Sequence, residues 1–425
     1  MFPEVETTTT RFERFLPTVS VMCMFLGVIR DNRFLLGSGL LILAIFGLIW
    51  LWWKLSFIGL SSAVHLSEIR AFEGEEIELT ISVSNRKILP AFWVNLTYEI
   101  PAGLILKGLR LMVEPSTQRA SLRMYWSLGP RQTASRTFVI ECHERGTYFL
   151  GPTQIETGDP VGLFSGWIKQ TELTSLIIYP KVLALTPHKL PAQQPFGEAR
   201  SVGRLFEDPI RTVGVREWRM GDSQRRIHWP VTAKYQALHS RVYEPAEEEQ
   251  ILIFLNIATL EKFWQGTIPA LQEQAIRVAS SLAFELADKR LGVGFIANGS
   301  LPRSDQELRL MPGRAPSQLM LILELLAGVT PFATSSIEEL MMAEAPSIPW
   351  GTTIVLVTSV IYPDLEATLM DLGLAGRKIV LFLLNNDAKP KRLGSHQMYL
   401  DNVQIYSISE FDFNQANIIS LVQQT

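Results

Sequence analysis

Cysteine and charged residues are both scarce in this chain of 425 residues. The two cysteines, Cys23 and Cys142, are too few for a disulfide framework or for a zinc site built from cysteines. Charged residues make up 19% of the chain and hydrophobic residues 47%, whereas a soluble domain carries about 25% charged residues. This balance indicates that part of the chain lies in lipid. The length predicts two or three domains, each with its own core.

The sequence also lacks the common motifs of catalysis and cofactor binding. It has no P-loop, no nucleophile elbow and no cluster of zinc ligands, and the pattern Gly292-x-Gly294 lacks the third glycine of a dinucleotide-binding fingerprint. The formal net charge of −3 excludes a generally basic nucleic-acid-binding protein. We therefore expect no cofactor, no bound metal and no nucleic-acid partner.

One long apolar run is present, at residues 34–53, and it contains no charged residue. A helix of about 20 residues crosses a hydrocarbon core of about 30 Å. Trp50, Trp52 and Trp53 gather at the end of the run, where indole rings suit the membrane interface. The run predicts a transmembrane helix that anchors the chain in the lipid bilayer.

A shorter apolar run at residues 15–29 precedes it, separated by the polar residues 30–33. The two runs predict a tight transmembrane hairpin of two helices, with a half-buried or interfacial first helix as the alternative. A signal peptide is a poorer interpretation, because no suitable small-residue cleavage site follows the first run.

Basic residues near the two runs give a weak indication of orientation. Arg11, Arg14 and Lys54 lie on one side of the predicted hairpin, and Arg30 and Arg33 lie on the other. Since basic residues favour the cytoplasmic side, we expect an anchor in the inner (plasma) membrane with the soluble domains in the cytoplasm.

From about residue 65 to 181 the hydrophobic period becomes two. Residues 75–85, 91–101 and 136–144 alternate polar and apolar side chains between turn residues, which predicts short strands of an immunoglobulin-like β-sandwich. Cys142 and His143 are neighbours on a strand and point to opposite faces, so a catalytic pair between them is disfavoured.

The last part of the chain alternates between apolar strands and amphipathic helices. This pattern predicts an α/β domain with a parallel sheet covered on both faces. The predicted strands are 251–256, 291–299, 352–360, 378–385 and 403–408, and the predicted helices are 269–290, 317–327 and 364–374.

Short motifs follow one another from the end of the β-rich region onward. They are Arg-Gly-x-Tyr at 145–148, Gly-Pro at 151–152, Asp-Pro-x-Gly-Leu-Phe at 159–164, Tyr-Pro-x-Val at 179–182, and a longer signature at 213–250 with Arg216, Trp218, Gly221, Asp222, Arg226, Ile227, Trp229, Ala233 and Lys234. Together they resemble a bacterial and archaeal family catalogued as domain of unknown function fifty-eight. The resemblance covers roughly residues 144–385.

The resemblance implies a von Willebrand factor A-like fold for the C-terminal half, and a place beside MoxR-type AAA+ ATPases in the assembly of other complexes. We therefore predict a multidomain protein with an anchor of two transmembrane helices (1–60), a β-sandwich (61–183), a linker (184–212) and the signature with the α/β domain (213–425). The predicted function is a non-enzymatic interaction or assembly factor. Its expected partners are a MoxR-type ATPase and neighbouring membrane proteins.

The signature is the candidate partner-binding site. Gly221 and Asp222 form a turn, and Arg226 lies within reach of the Asp222 carboxylate on a helical face. Residues 211–241 hold seven basic and two acidic residues, 7 − 2 = +5. The candidate binding residues are Arg216, Trp218, Arg219, Gly221, Asp222, Arg225, Arg226, His228, Trp229 and Lys234. An alternative is a cell-envelope enzyme that uses Asp222 and His228 as an acid/base pair, although no nucleophile accompanies them.

A von Willebrand A-like fold that binds Mg²⁺ uses Asp-x-Ser-x-Ser after its first strand, because a hard cation prefers oxygen ligands. The matching positions here are Asn256, Ala258 and Leu260. Val360 replaces a later aspartate, which leaves Thr259, Thr358 and Ser359 as weak oxygen donors. The sequence thus predicts a degenerate site without metal, and it disfavours a metal-dependent adhesion module.

Overall fold

The structure is a computed structural model that describes residues 6–8, 11–187, 207–219, 224–245, 250–302, 308–385, 403–409 and 418–423. The chain divides into two compact units, Met1–Lys181 and Val182–Thr425. The first unit contains a helical hairpin and a β-sandwich. The second contains an α/β sheet and a separate β-ribbon.

The hairpin consists of two helices, α1 (Arg11–Ile29) and α2 (Arg33–Ser56), and a short strand, β1 (Glu6–Thr8), precedes it. The side chain of Asn32 caps α2 by accepting a hydrogen bond from the N–H of Phe34 over 3.0 Å. Within the described part of the chain, α2 is the helix long and apolar enough to cross a membrane, whereas Phe15–Ile29 is a shorter apolar helix. The long span predicted from the sequence is therefore a helix in the structure.

Small residues let α1 and α2 approach closely. A Cβ atom added at Gly39 would lie 2.5 Å from Cγ of Met24, and one added at Gly27 would lie 2.7 Å from the backbone nitrogen of Leu36. The hydroxyl of Ser20 donates a hydrogen bond to the carbonyl of Gly39 over 2.7 Å. Such small-residue contacts are typical of helices that pack in membranes.

The rest of the first unit is a β-sandwich with three sheets in the strand orders β1-β12-β11-β5-β8-β7, β2-β4-β9-β6 and β10-β13-β3. All its pairings are antiparallel except β13 with β3. Its strands are β2 (Leu60–Leu66), β3 (Arg70–Phe72), β4 (Glu76–Asn85), β5 (Ala91–Pro101), β6 (Ile105–Leu106), β7 (Val113–Glu114), β8 (Arg119–Leu128), β9 (Thr133–Glu141), β10 (Gly146–Leu150), β11 (Thr153–Gly158), β12 (Ser165–Gln170) and β13 (Thr174–Tyr179).

The alternation in the sequence produces the core of the sandwich. Along β4, Ile77, Leu79, Ile81 and Val83 are buried while the residues between them face outward. Side chains from both large sheets join one apolar cluster. Cys142 belongs to this core, and His143 is exposed beside it. The antiparallel β-rich region predicted from the period of two is confirmed.

The second unit is built on an eight-stranded sheet in the order β14-β23-β22-β21-β20-β17-β18-β19. Its strands are β14 (Ala184–Pro187), β17 (Gln250–Leu255), β18 (Gly292–Ala297), β19 (Leu308–Gly313), β20 (Thr353–Thr358), β21 (Ile379–Asn385), β22 (Val403–Ser409) and β23 (Ile418–Gln423), and its helices are α4 (Pro269–Asp288), α5 (Gln318–Gly328), α6 (Ile337–Glu344) and α7 (Pro363–Leu374).

Five of these strands run parallel in the order β18-β17-β20-β21-β22, so the predicted α/β region with a parallel sheet is confirmed. The complete sheet is mixed, because β19 is antiparallel to β18 and β23 to β22. The connections into β19 and β23 are shorter than the dozen or so residues of a parallel crossover. Antiparallel pairing is the arrangement that such short connections allow.

The ribbon pairs β15 (Glu207–Glu217) with β16 (His239–Pro245) in antiparallel fashion. Between the two strands lie a 3-10 turn at Gln224–Arg226 and a short helix, α3 (Trp229–Tyr235). Strands thus occupy both ends of the segment 184–212 that was predicted as a linker. Residues 188–206 in its centre lie outside the described residues.

Candidate functional site

The signature segment, described here at residues 214–219 and 224–241, forms the closed end of the ribbon. The backbone N–H of Trp218 donates to the carbonyl of Leu238 over 2.8 Å, and the N–H of His228 donates to the carbonyl of His239 over 2.9 Å. Ile227 forms an isolated bridge with Ser240 and is buried. These contacts hold the segment between the ends of β15 and β16.

His228 has a structural role at the start of α3. Its ring nitrogen Nδ1 accepts a hydrogen bond from the N–H of Val231 over 3.3 Å, and its carbonyl accepts one from the N–H of Thr232 over 3.0 Å. A side chain that caps a helix satisfies one of the free N–H groups of the first turn. The imidazole is therefore engaged with the backbone of its own helix.

Three of the candidate binding residues are not described in full by the structure. Gly221 and Asp222 lie outside the described residues, and the side chain of Arg225 does as well. The predicted contact between Asp222 and Arg226, and the acid/base pair of Asp222 with His228, consequently remain predictions.

The described side chains of the signature segment are largely exposed. Helix α3 has no buried residue, and Trp229 and Tyr235 expose 65% and 63% of their surfaces. Single exposed aromatic residues are common, but two of them on a seven-residue helix that buries nothing are unusual for a segment that serves packing alone. Val215 and Leu238 are exposed as well.

Basic residues accompany these aromatic rings. Arg216, Arg219 and Lys234 are exposed and Arg226 is half-buried, with Glu217 as the acidic residue among the described side chains of the segment. The ammonium of Lys234 lies 5.6 Å from the ring centroid of Tyr235, within the range of a cation–π contact. Trp218 is half-buried. The segment combines exposed aromatic rings with positive charge, as protein-binding surfaces do.

The second candidate site lies at the carboxyl ends of β17, β18 and β20. Asn256 follows β17, and its side-chain Oδ1 accepts hydrogen bonds from the side chain of Asn298 over 3.0 Å and from the N–H of Ala258 over 3.1 Å. Its Nδ2 donates to the hydroxyl of Thr358 over 3.1 Å. Both polar atoms of the Asn256 side chain are thus engaged within the protein.

Asn298 completes this amide network and was missed in the sequence. Its Oδ1 accepts from the N–H of Ile257 over 2.7 Å, and its Nδ2 also donates to the carbonyl of Ser335 over 2.9 Å. Asn256 and Asn298 are each 1% exposed. The carboxyl ends of parallel strands meet at one edge of a sheet, so an asparagine after each of two buried strands was the available signal.

The remaining positions of the degenerate site offer no carboxylate. Ala258 is buried, Leu260 is half-buried, and the hydroxyl of Thr259 accepts from the N–H of Ile268 over 2.6 Å. Within the described ranges, no group of three or more His, Cys, Asp and Glu side chains is placed to hold a metal ion. Hydrogen bonds between amides occupy the place where a cation would need oxygen ligands.

Comparison with known families agrees with the resemblance seen in the signature. Residues 214–392 match the family described as protein of unknown function DUF58. This match confirms, over that region, the family resemblance predicted from the sequence. No curated protein matches the chain.

Solved structures similar to parts of the chain are remote in sequence. A CARDB domain from Pyrococcus furiosus is 12% identical over 29% of this chain and 96% of its own, with a TM-score of 0.19. A non-cellulosomal cohesin from Archaeoglobus fulgidus is 16% identical over 28% of this chain and 91% of its own, with a TM-score of 0.20. The fold described above therefore rests on the strand pairing of this chain itself.

Proposed function

We propose that this protein is a membrane-anchored, non-enzymatic interaction factor that acts with a MoxR-type AAA+ ATPase and with neighbouring membrane proteins. The anchor is the α1–α2 hairpin in the plasma membrane, with the two soluble regions on the cytoplasmic side. The signature segment is the surface that the ATPase contacts. The exposed aromatic and basic side chains around α3 are the observation that carries this proposal.

The composition and packing of the hairpin support the anchor. Large apolar side chains along α2 are exposed, among them Phe34, Leu41 and Leu48, and their exposure to water would be unfavourable at about 25 cal/mol per Å² of apolar surface. The ammonium of Lys54 lies 4.3 Å from the ring centroid of Trp50. A lysine beside a tryptophan suits the boundary between lipid and water.

The chemistry of the signature segment supports protein binding. Tryptophan, tyrosine and arginine are the residues most often found at binding hot spots. The exposed Trp229 and Tyr235 lie close in sequence to Arg219 and Lys234. An ATPase surface with acidic residues around an apolar pocket would complement this combination.

The two alternatives lack such support. For an enzyme that used His228, Nδ1 is already engaged, since it accepts a hydrogen bond from the backbone of α3, and proton transfer would have to use Nε2. A metal-dependent adhesion module would need oxygen ligands free to bind a cation, whereas Oδ1 of Asn256 already accepts two hydrogen bonds. The observation that favours protein binding over these alternatives is the exposure of Trp229 and Tyr235 on α3.

A matched pair of tryptophan variants tests the proposed binding surface. Trp229→Ala should weaken capture of a purified MoxR-type ATPase by the detergent-solubilised full chain by about tenfold or more, the usual loss at a hot spot. Trp264 is a suitable control, since it is 69% exposed and lies outside the signature segment. Trp264→Ala should capture the ATPase as the wild type does. Equal capture by both variants would exclude the signature segment as the binding surface.

Charge reversal tests the basic residues in the same assay. Arg219→Glu should reduce capture and its dependence on salt, because an exposed interfacial charge acts mainly on association. Arg123→Glu, on an exposed strand position of the sandwich, is the control and should change neither. Neither substitution should change the melting temperature by more than the small amount expected for a single surface charge. Normal capture by Arg219→Glu would remove the electrostatic part of the proposal.

A further inference from the structure

Helix α2 contacts the sandwich over about its last three turns. The ring of Phe164 lies with its centroid 5.4 Å from that of Phe46 and 5.8 Å from that of Trp53. The ring of Phe92 lies 5.8 Å from that of Trp52. The sandwich is thus fixed beside the carboxyl-terminal part of α2, not only to the end of it.

The polar turn before α2 sets the depth of this contact. Residues 30–33 include three charged side chains and must lie outside the hydrocarbon, so the apolar span begins at Phe34. A hydrocarbon core of about 30 Å then ends about 20 residues later, near Trp53. Phe46 and Trp53 are about 10 Å apart along the helix axis. If α2 spans the membrane in this register, Phe164, which contacts both rings, lies inside the membrane boundary.

Most backbone N–H groups of the loop that carries Phe164 find their acceptors within the loop. The buried carboxylate of Asp159 accepts hydrogen bonds from the N–H of Val161 over 2.8 Å and of Phe164 over 2.5 Å. The N–H of Asp159 donates to the carbonyl of Phe164 over 3.1 Å, and the N–H of Gly162 donates to the carbonyl of Asp159 over 3.3 Å. Lipid offers no hydrogen bonds, so irregular backbone near it must be satisfied within the protein.

Apolar side chains of the same surface point outward. Val161 at the tip of the loop is 69% exposed, and Phe92 beside α2 is 48% exposed. Lys87 marks the water side of the surface, since its ammonium donates to the carbonyls of Leu55 and Ser56 at the end of α2. Toward the carboxyl end of α2, this surface therefore changes from apolar to cationic.

We propose that residues 159–164 and Phe92 form a membrane-seating surface that enters the boundary between lipid headgroups and acyl chains beside α2. The inference rests on the proposed anchoring of α2, and the bilayer is its occupant because the surface is continuous with the span. The Asp-Pro-x-Gly-Leu-Phe motif then has a function of its own. It presents an apolar tip to lipid while it leaves no backbone N–H of Val161, Gly162 or Phe164 unpaired.

The register of the sandwich provides a control position at its far end. Ala91 pairs with Leu128 next to Phe92, whereas Pro101 pairs with Arg119 at the other end of β5 and β8. Ten residues of strand span about 33 Å. Met112 is 93% exposed and precedes β7, which pairs with the Arg119 end of β8. Met112 is therefore remote from the proposed surface.

Depth-dependent fluorescence quenching of the full chain in vesicles tests the inference. Single cysteines labelled with an environment-sensitive fluorophore would be placed by Val161→Cys, Phe92→Cys, Met112→Cys and Gly47→Cys, each in a Cys23→Ser background. A Cβ at Gly47 meets no atom within 4 Å, so a label fits there. Cys142 is 1% exposed and stays unlabelled. The vesicles would contain phosphatidylcholine with and without a nitroxide at carbon five of the acyl chain.

We expect the label at Val161 to shift its emission to shorter wavelengths and to lose intensity with the nitroxide lipid, as the label at Gly47 does. The label at Phe92 should behave in the same way, and the label at Met112 should show neither change. If the label at Gly47 is quenched while the label at Val161 behaves like the label at Met112, the seating surface is overturned and the anchor stands. No quenching at Gly47 would overturn the anchor, and the seating surface with it. Equal quenching at Val161 and Met112 would also overturn the inference.

Discussion

The side chain of Asn298 donates a hydrogen bond over 3.0 Å to the side chain of Asn256, and so joins the carboxyl ends of two adjacent parallel strands. Each asparagine also binds the backbone of the loop that follows β17, at Ile257 and Ala258. The pair holds this end of the sheet in one conformation through neutral groups. Predictions about stability and about metal follow directly from it.

Replacing Asn298 should destabilise the second unit. Asn298→Ala removes the acceptor of the Ile257 N–H and the donor to Asn256, at a cost of about 1–3 kcal/mol for polar groups left buried without partners. Asn298→Asp should cost a similar amount, because a carboxylate cannot donate to the Asn256 oxygen. Hydrogen exchange of β17 and β18 in the detergent-solubilised chain would measure the loss. Ser317→Ala, at an exposed helix cap without a side-chain hydrogen bond, should leave exchange unchanged.

Divalent cations should not stabilise the protein. A ligand that binds the native state raises its stability, but the Asn256 oxygen is already occupied and Ala258 and Leu260 carry no oxygen in their side chains. We expect the melting temperature of the full chain in detergent to be the same with millimolar Mg²⁺, with Mn²⁺ and with chelator. A saturable rise with either cation would show that the end of the sheet binds metal after all.

The thiol of Cys142 should resist alkylation in the folded protein. Burial raises the pKa of Cys142 from 9.0 to about 11, and the thiolate is the reactive form. Two pKa units reduce the thiolate fraction at pH 8 by about 100-fold relative to the unfolded chain. Iodoacetamide labelling of a Cys23→Ser variant with and without urea, followed by mass spectrometry, measures the ratio of the labelling rates of Cys142 in the unfolded and the folded chain. Equal rates in both conditions would contradict the burial of this side chain.

The same shift gives the sign of a dependence of stability on pH. Between pH 9 and about 11 the unfolded chain has lost the thiol proton while the folded chain retains it. The contribution of Cys142 to stability is therefore complete below pH 9 and is lost as the pH rises toward 11. A Cys142→Ala variant should lose less stability than the Cys23→Ser parent over this range. If the stability of the variant and of the parent declined equally over this range, other titrating groups would be responsible.

A large side chain at Gly39 should separate the two helices of the hairpin. A Cβ there already meets Met24 and the carbonyl of Ser20 at 2.5 and 2.9 Å, and forced overpacking costs about 1–3 kcal/mol. Gly37→Leu is the matched control, because a Cβ at Gly37 meets nothing within 4 Å. Cross-linking between cysteines placed on α1 and α2 should decrease for Gly39→Leu alone. An unchanged yield would contradict the close packing of the helices.

Elements with a strong hydrophobic period were predicted closely from the sequence. The strand predicted at 91–101 is Ala91–Pro101, and the helix predicted at 269–290 is Pro269–Asp288. In both elements the buried face repeats with the period of the secondary structure, so the local sequence determines the element. The boundaries differ by at most two residues there because proline fixes one end of each.

Other elements depend on contacts that the local sequence does not encode. Strand β15 pairs with β16 across the whole signature segment, and its charged sequence shows no alternation. Helix α6 was missed although Ser336 and Glu339 form the start signal of a capped helix, with the Ser336 hydroxyl 3.4 Å from the Glu339 nitrogen. At the end of the sheet, Asn256 was recognised and Asn298 was not, because their contact joins strands 42 residues apart in the chain.

Two predictions from the sequence go beyond what the fold of this chain determines. The family is confirmed over residues 214–392, while the von Willebrand A-like identity and the MoxR-type partner remain predictions. Fold and hydrogen bonding determine how the signature segment is held. The proposed contact of a partner protein with Trp229 and Tyr235 depends on the surface of that partner as well.

Strand β1 gives the hairpin a property that a single tether lacks. β1 pairs with β12 in one sheet of the sandwich just before α1, and β2 pairs with β4 in another sheet just after α2. A domain joined to a span by one connection can swivel about the helix axis. Here a rotation of the hairpin would break the pairing of Glu6–Thr8 with β12. A torque applied to the sandwich is thus transmitted to both helices, and in the proposed membrane anchor the first unit would turn as one piece.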